Sequence, residues 1–241
     1  MKFVIVIPTY NEKENVENLI NSIEKISKNI KKEVELKILV VDDDSPDGTG
    51  KIVDRLTKVY NNVYINHKKG KKGLGFAYIN GFKYALDNLN ADYVLTMDCD
   101  FSHNPKYIPQ FIKELGKFDV LIGSRYIKGG GTYNWPLYRR IISSGANLLA
   151  KTVLRLKNND CTSGFRCYSK NALNKIDFEN IKSGGYSFLL EILYRCQRKK
   201  LKIREIPFVF IDRTLGETKI SKKEILRTLY TLIKLKIERY K

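Results

Sequence analysis

The chain of 241 residues is 43% hydrophobic and carries a formal net charge of +18, so it is long and apolar enough to bury one large core. Its four cysteines form no C-x-x-C pair and its two histidines lie far from most of them, which argues against a disulfide framework and a zinc site. No apolar run approaches the ~20 residues of a membrane-spanning helix, and the chain begins with a strand pattern rather than a signal peptide. We therefore expect a single α/β domain with reduced thiols, cytoplasmic or peripheral on a membrane.

Strand and helix patterns alternate through the first half of the chain. Continuous apolar runs, of the kind that parallel sheets bury on both faces, predict strands at 2–7, 36–41, 63–66, 93–98 and 119–123. Helical periodicity predicts a first helix of about 15 residues with Asn11 as its N-cap, and further helices at 49–59, 73–88 and 105–116. This order is typical of an α/β fold with a doubly wound, mainly parallel sheet and flanking helices.

The fourth predicted strand ends in Asp98-Cys99-Asp100. While the backbone stays extended, residues two apart project on the same side, so both carboxylates can hold one hard cation. Ligands of open α/β sheets bind at the carboxyl ends of strands, and oxygen ligands favour Mg²⁺ or Mn²⁺ bridged to nucleotide phosphates. The alternative for the same residues is a solvated acidic turn.

The lysine-rich loop at 67–75 carries Gly73 and Gly75, but Tyr78 stands where a dinucleotide fingerprint requires its third glycine. The sequence also has no G-x-x-x-x-G-K-[ST] motif. Both features argue against Rossmann and P-loop nucleotide binding, and the loop is expected to be mobile and basic.

The second half of the chain is strongly basic. Residues 121–241 carry 26 Lys+Arg against 9 Asp+Glu, whereas residues 1–120 carry 18 against 17. This excess indicates an anionic partner, which is nucleic acid, an anionic membrane surface or a phosphorylated substrate. The patterns predict a flexible glycine-rich segment at 129–136, helices at 139–156, 186–198 and 221–241, a loop entering a short strand at 160–168, a strand at 203–211 and a loop at 212–219.

The last predicted helix is amphipathic. Its charged side holds Lys223, Arg227, Lys234, Glu238 and Lys241, and its apolar side holds Ile225, Leu226, Leu229, Leu232, Ile233 and Ile237. Such a helix lies on an anionic leaflet, or packs on the domain with a solvated basic face. It is also a candidate docking site for a membrane-spanning partner.

A series of motifs runs in order over nearly the whole chain. They are Pro8-Thr-Tyr10-Asn-Glu12, Val41-Asp-Asp43-Asp-Ser-Pro-Asp-Gly-Thr, Met97-Asp98-Cys-Asp100-Phe-Ser102-His-Asn-Pro, Gly123-Ser-Arg125-Tyr, Trp135 followed by Arg139, Ser143-Ser-Gly-Ala-Asn147, Thr162-Ser-Gly-Phe-Arg166-Cys-Tyr168 and Asp212-Arg213-Thr-Leu-Gly216-Glu-Thr-Lys219. The series resembles the family 2 glycosyltransferases, and among them the dolichyl-phosphate mannose synthases whose catalytic subunit lacks transmembrane helices.

The resemblance implies a GT-A glycosyltransferase domain at 1–220 and a basic amphipathic membrane-interface helix at 221–241. It implies inverting transfer of mannose from GDP-mannose to dolichyl (polyprenyl) phosphate, with Mg²⁺ or Mn²⁺ as cofactor. The enzyme would be peripheral on the cytosolic face of the membrane, with or without a membrane-spanning partner subunit, and would not bind nucleic acid.

The same resemblance implies roles for individual residues. The guanosine pocket would be formed by Pro8, Tyr10, Glu12, Val41 and Asp43. The diphosphate and metal would be lined by Asp98, Cys99 and Asp100, with Ser102 where the family often has a glutamine as third metal ligand. The donor phosphates would be reached by Arg125, Arg213 and Lys219, and the acceptor phosphate by Arg139 and Ser143. Catalysis would rest on Asp98, Asp100, Arg125 and Lys219.

General chemistry agrees with a phosphate acceptor. Glycosyl transfer from a nucleotide develops negative charge on the leaving diphosphate, which a divalent ion, Lys219 and an arginine are suited to stabilise. A phosphate monoester, with a second pKa near ~6, is already largely dianionic at neutral pH and needs cations rather than a general base. The excess of arginine after residue 120, with only two histidines in the chain, fits such an acceptor.

Alternatives stay open from the sequence. The donor could be UDP-glucose with the same acceptor, and the basic half would also suit a nucleic-acid-binding protein. Arg125 and Arg166 could form structural ion pairs with Asp98 or Asp160, as arginines often do. Arg139 could be a helix surface charge, and Glu191 is a candidate acceptor-side carboxylate.

Overall fold

A computed structural model describes residues 1–70, 73–185, 187–212 and 222–238, with the side chains of 222–227 and 238 left out. The strands are β1 Lys2–Thr9, β2 Glu35–Asp42, β3 Val63–His67, β4 Tyr93–Thr96, β5 Val120–Ser124, β6 Gly131–Tyr133, β7 Arg166–Ser169, β8 Ile203–Pro207 and β9 Val209–Ile211. The helices are α1 Val16–Ser27, α2 Thr49–Val59, α3 Leu74–Asp87, α4 Ile108–Lys113, α5 Leu137–Leu154, α6 Lys170–Ile176, α7 Ser187–Arg198 and α8 Lys222–Glu238. Short 3₁₀ turns occupy Pro105–Tyr107 and Phe178–Asn180.

Seven strands form one sheet in the order β3-β2-β1-β4-β7-β5-β8. Its neighbouring strands run parallel, except that β7 is antiparallel to both β4 and β5. This doubly wound, mainly parallel sheet confirms the predicted fold class. Strands β6 and β9 pair in parallel as a small second sheet.

Helices cover both faces of the large sheet and enclose two hydrophobic layers. One layer lies under α3, α5, α6, α7 and α8, and the other under α1, α2 and α4. Successive side chains of β1 alternate between them, so Val4 and Val6 enter the first layer while Ile5 and Ile7 enter the second. Because both faces are covered, the strand reads in sequence as one continuous apolar run.

The predicted N-cap of the first helix is wrong. Helix α1 begins at Val16 with Asn15 in the N-cap position, whereas Asn11 has a positive φ of 59°. The Asn11 N–H donates to Ser45 Oγ at 3.0 Å, so this segment belongs to the loops at the end of the sheet.

The predicted strand at 203–211 is also wrong, because it divides at Phe208 between two sheets. The Phe208 N–H ends the β5–β8 pairing by donating to the Ser124 carbonyl at 3.1 Å, and the Phe208 carbonyl accepts from the Gly131 N–H of β6 at 3.1 Å. The segment expected to be flexible contributes β6 instead, beginning at Gly131. Helix α6 has no counterpart in the sequence prediction.

The last helix packs against α5 and α7, and its apolar residues differ in exposure. Leu232 and Leu235 are 2% and 6% exposed, whereas Ile233 and Ile237 are 57% and 74% exposed. The apolar side predicted from the sequence is therefore packed on the domain in part and exposed in part. Among the helices in the described ranges, none combines the length and hydropathy that crossing a bilayer requires.

Candidate active site

The candidate site lies at the edge of the sheet where the parallel strands end. Strand register places Thr9 beside Asp42 and Val6 beside Thr96, so the residues that follow β1, β2 and β4 meet at one edge. Because β7 runs in the opposite direction, the 160–165 loop that precedes it reaches the same edge. This arrangement brings the carboxylates of the first half of the chain toward the arginines of the second.

Two buried aspartates define the end of β2. Asp42 accepts a hydrogen bond from Thr9 Oγ1 at 2.9 Å and from Ser45 Oγ at 2.6 Å, which compensates its burial. Asp43 accepts one from the Gly73 N–H at 3.1 Å, just before α3. The predicted guanosine-pocket residue Asp43 therefore joins β2 to α3.

The other predicted pocket residues lie along the same edge. Pro8, Tyr10 and Glu12 are partly buried, and the Glu12 N–H donates to Thr49 Oγ1 at 2.9 Å. The Val41 side chain is fully buried in the core. Val41 thus offers only its backbone to a nucleotide.

Asp98 is held by two buried side chains from different elements. The Tyr78 hydroxyl donates to Asp98 Oδ1 at 3.1 Å, and the Asp98 N–H donates to His103 Nδ1 at 3.0 Å. Burial, and then the Asp98 charge, raise the pKa of Tyr78 well above its usual value, while burial lowers the pKa of His103. The phenol therefore stays a donor and the imidazole stays neutral, with its proton assigned to Nε2 by the hydrogen bond that Nδ1 accepts.

The neighbours of Asp100 differ in their suitability as metal ligands. Cys99 is 3% exposed within the core, and burial raises the pKa of its thiol well above the usual value, so it is not a thiolate. The Ser102 N–H donates to Asp100 Oδ1 at 3.1 Å. The Ser102 Oγ is buried, and no residue of the described ranges gives it a hydrogen-bond partner.

The residues present fit a cation shared with a nucleotide. In the described part of the chain, no cluster of three or more His, Cys, Asp or Glu could hold a metal by itself. Asp98 and Asp100 with the orphaned Ser102 hydroxyl suit Mg²⁺ or Mn²⁺, which in such sites takes its remaining ligands from phosphates and water. A buried hydroxyl without a partner is costly, and a bound ligand would satisfy it.

Arg125 pairs with Asp160 in this structure, as the structural alternative predicted. Its Nε and Nη2 donate to the two Asp160 oxygens at 2.7 and 2.8 Å, and Nη2 also donates to Thr162 Oγ1 at 2.7 Å. Burial alone would raise the pKa of Asp160, but the charge and hydrogen bonds of Arg125 outweigh it, so the net pKa is lowered. The guanidinium is thus rigidly placed at the sheet edge.

Trp135 contacts both Arg139 and Arg125. The Arg139 guanidinium carbon is 4.4 Å from the centroid of the Trp135 ring system, and that of Arg125 is 5.5 Å from it. Arg139 Nη1 pairs with Asp212 at 2.5 Å, so Arg139 is not a solvated surface charge. Phe210 packs edge-on against the indole at 5.1 Å.

Helix α5 is tied to the same site through Ser143 and Asn147. Tyr126, next to Arg125, donates its hydroxyl to Ser143 Oγ at 2.8 Å. The Asn147 side chain donates to Thr162 Oγ1 at 3.2 Å and accepts from the Cys161 N–H at 2.7 Å. The predicted acceptor-side residues Arg139 and Ser143 therefore lie together. Arg213 and Lys219 lie outside the described residues, so their predicted roles stay predictions.

Two other sequence hypotheses are wrong. Arg166 is fully buried and donates to the Leu189 and Cys161 carbonyls, both at 2.7 Å, rather than pairing with an aspartate. Glu191 is 5% exposed and accepts from Arg195 one helical turn later, at 2.6 and 3.0 Å. It is therefore a structural residue and is not available to an acceptor.

Four residues of the site were not predicted from the sequence: Tyr78, His103, Asp160 and Trp135. His103 lies five residues after Asp98, so its proximity was readable from spacing. Tyr78 comes from a separate helix, and nothing in its sequence context indicates the contact. Asp160 was considered only as a structural partner of arginine.

Helices α5 and α8 expose apolar side chains, and α5 also carries Arg139. Helix α5 exposes Leu137, Tyr138, Ile141, Ile142, Leu148 and Leu149, and helix α8 exposes Leu229, Tyr230, Ile233 and Ile237. The two helices pack together, and we refer to these ten side chains as the α5–α8 apolar surface. Surfaces of this kind mark interaction sites on proteins or membranes.

Sequence comparison places this chain among known glycosyltransferases. The model of the family described as "Glycosyl transferase family 2" matches residues 4–177. Undecaprenyl-phosphate mannosyltransferase of Micrococcus luteus is 38% identical over 92% of this chain and 88% of its own. Polyprenol monophosphomannose synthase of Mycolicibacterium smegmatis is 34% identical over 94% of this chain and 84% of its own.

Solved structures agree on the fold. Glucosyl-3-phosphoglycerate synthase from Mycobacterium tuberculosis, in complex with Mn²⁺, UDP and phosphoglyceric acid, has a TM-score of 0.67 at 17% identity, over 98% of this chain and 78% of that one. A mannosyltransferase from Pyrobaculum calidifontis, in complex with GDP-Man and Mn²⁺, has a TM-score of 0.64 at 13% identity, over 99% of this chain and 65% of that one. The resemblance seen in the motifs is confirmed, and the chain belongs to glycosyl transferase family 2.

Proposed function

We propose that this protein transfers mannose from GDP-mannose to a polyprenyl phosphate. The observation that carries the proposal is the meeting, at one sheet edge, of the Asp98 and Asp100 carboxylates with two arginines that contact Trp135. The first group suits a sugar nucleotide and the second suits a phosphate acceptor. The names of the two sequence relatives support the sugar and the acceptor, and the neighbour with GDP-Man and Mn²⁺ supports the donor.

On the donor side, Asp98, Asp100 and Ser102 would hold Mg²⁺ or Mn²⁺. When bound, the cation supplies stabilisation of the charge that grows on the leaving diphosphate. Pro8, Tyr10, Glu12, the Val41 backbone and Asp43 would hold the guanosine at the ends of β1 and β2, while Cys99 offers only its backbone. Arg125, with Arg213 and Lys219, would neutralise the diphosphate.

On the acceptor side, Arg139 and Ser143 would bind the phosphate. Arg139 already forms an ion pair with the Asp212 carboxylate, so its guanidinium is oriented to bind an oxyanion. A phosphate monoester is largely dianionic at neutral pH and attacks without a general base. His103 cannot serve as a base toward it, because Nδ1 accepts the Asp98 N–H and the ring is buried. Attack opposite the diphosphate gives inversion, hence a β-linked mannose.

The reaction is tested with purified protein, GDP-[¹⁴C]mannose, Mg²⁺ or Mn²⁺ and a polyprenyl phosphate. We expect an organic-extractable product that is labile to mild acid, loss of product with EDTA, and little transfer from UDP-[¹⁴C]glucose. Asp100→Ala should lower kcat by about 10²-fold or more. Asp54→Ala, which removes an aspartate half-exposed beside His67, is the matched control and should retain activity. Lack of transfer to lipid by the wild type would overturn the proposal.

We also propose that the α5–α8 apolar surface rests on the membrane that holds the acceptor, so that the protein is peripheral and the helix at 221–241 is an interface element. Helix α5 carries both Arg139 and Ser143 at its inner side and exposed Ile141 and Ile142 at its outer side. The net charge of +17 in residues 121–241 complements an anionic leaflet. An isoprenoid anchored in that leaflet would reach the arginines from the same side.

Flotation with liposomes tests the membrane proposal. Wild type should float with vesicles of phosphatidylglycerol and phosphatidylcholine, and the double variant Ile141→Asn with Ile237→Asn should float much less. The matched control is Val59→Asn, which alters a valine 64% exposed at the end of α2 and should float like wild type. If wild type does not float, the surface instead receives a protein, and a membrane-spanning partner subunit becomes the hypothesis to test.

A further inference from the structure

The carboxylate of Asp98 is restrained on one oxygen and available on the other. Oδ1 accepts the Tyr78 hydroxyl at 3.1 Å. Oδ2 lies 3.8 Å from His103 Nδ1, but that nitrogen already accepts the Asp98 N–H and carries no proton for a second bond. Within the described ranges, Oδ2 therefore has no hydrogen-bond donor and is the oxygen open to a cation.

The hydroxyl that restrains Oδ1 has a rigid support. Tyr78 is fully buried, and its ring is stacked with Phe82 at 6.2 Å and with Phe188 at 6.0 Å. One turn later, Gly81 packs so closely on β1 that a Cβ there would overlap Val6 Cγ1. The position of the hydroxyl is thus set by α3, independently of the loop that carries Asp98.

The Asp98 carboxylate does not depend on the Tyr78 hydroxyl for a hydrogen-bond partner. The Asp98 side chain is 37% exposed, so water can replace the phenol as its partner. The terminal torsion of an aspartate is broad and has no strong preference of its own. Loss of the Tyr78 hydroxyl would therefore change the orientation of the carboxylate more than the stability of the fold.

We propose that Tyr78 is a positioning residue of the metal–nucleotide site, which fixes the Asp98 carboxylate through Oδ1 and so presents Oδ2 as the cation ligand. The proposal rests on the proposed function only in taking Asp98 as a ligand of a divalent cation shared with a nucleoside diphosphate. Hydrogen-bonded partners of ligating carboxylates typically change metal affinity by about 10- to 100-fold when removed.

The test measures the affinity of the protein for Mn²⁺ in the presence of GDP, from the electron paramagnetic resonance signal of free Mn²⁺. Tyr78→Phe removes one oxygen and should weaken Mn²⁺ binding about 10-fold, with the urea unfolding midpoint nearly unchanged. In turnover, the Mn²⁺ concentration for half-maximal rate should rise more than kcat falls. Tyr168→Phe is the matched control, since Tyr168 is 1% exposed and packs edge-on against the same Phe82 at 5.5 Å. Its Mn²⁺ affinity should equal that of wild type.

Either of two results would overturn the positioning role: unchanged Mn²⁺ affinity in Tyr78→Phe, or an equal loss in Tyr168→Phe, which would indicate a general effect on the core. Failure of wild type itself to bind Mn²⁺ with GDP would instead reject the proposed metal site and this role with it. The wild-type titration thus separates the two failures.

Discussion

At the scale of the residue, Asp160 organises the cationic half of the site. Its carboxylate accepts from the Arg125 side chain at 2.7 and 2.8 Å, and from the Arg125 and Ser163 N–H groups, both at 3.0 Å. Glu205 in turn accepts from the Asp160 N–H at 3.0 Å. A side chain with no exposure that makes so many charge-assisted bonds fixes where Arg125 points.

Replacing Asp160 by asparagine should cost about 3 kcal/mol of unfolding free energy at pH 7, because it leaves the Arg125 guanidinium buried without its counter-charge. Urea denaturation measures the loss. The matched control is Asp54→Asn, which removes the exposed partner of His67 and should change stability by less than about 0.5 kcal/mol. Equal effects of the two substitutions would contradict the role assigned to Asp160.

The difference in unfolding free energy between wild type and Asp160→Asn should depend on pH with a definite sign. The pKa of Asp160 is lowered from 3.8 in the folded protein, so its stabilisation is complete above pH 3.8 and is lost as pH falls through the lower, folded-state value. The gap between wild type and Asp160→Asn should stay constant from pH 7 to about pH 4.5 and shrink below pH 3.8. Denaturation curves over this range measure it, and a gap that widens in acid would contradict the sign.

Residue identity predicted the carboxylates of the site better than their supports. The buried strand before Asp98 and Asp100 was enough to predict that both lie at the sheet edge, although β4 ends at Thr96, so neither residue lies in the extended strand that the spacing prediction assumed. The contact from Tyr78 was not predictable, because it depends on how α3 crosses the sheet. Likewise, the sequence could not say which aspartate Arg125 or Arg166 would meet, and Arg166 meets backbone carbonyls instead.

At the scale of the element, the strands of the large sheet were largely predictable, whereas the direction of β7 was not. The apolar run of β1 indicated its burial directly. Strand β7 has only four residues, and nothing in its own pattern indicates that it runs antiparallel to β4 and β5. That direction matters to the site, since it delivers Asp160 and Thr162 to the edge where the parallel strands end.

The close approach of α3 to β1 supports a prediction about two helical glycines. Gly81→Ala should lower stability by about 1–3 kcal/mol, because its Cβ would overlap Val6. Gly145→Ala, on exposed α5, meets no heavy atom within 4 Å and should gain up to about 1 kcal/mol from helix propensity. Urea unfolding of both variants measures the two changes in stability. A Gly81→Ala protein as stable as wild type would show that α3 has room to move.

At the scale of the whole molecule, charge and apolar exposure lie in the same half of the chain. The basic excess and the amphipathic last helix were visible in the sequence. The exposure of α5 could not be seen in the sequence, because helical periodicity does not show which side of a helix the rest of the protein leaves exposed to solvent. Ile141 and Ile142 lie in a segment that was predicted only to be helical, and both are more than half exposed.

If this surface serves to reach an acceptor held in a bilayer, its loss should affect only acceptors that are held there. The double variant Ile141→Asn with Ile237→Asn should transfer mannose poorly to a long polyprenyl phosphate in anionic vesicles, and normally to a short, water-soluble prenyl phosphate. The physical reason is that the substitutions remove apolar contact with the membrane and leave Arg139 and Ser143 in place. Radiolabel transfer to the two acceptors gives a rate ratio that cancels differences in enzyme concentration. Val59→Asn should keep the wild-type ratio, and an equal loss of both activities in the double variant would place the exposed isoleucines in the acceptor site rather than on the membrane.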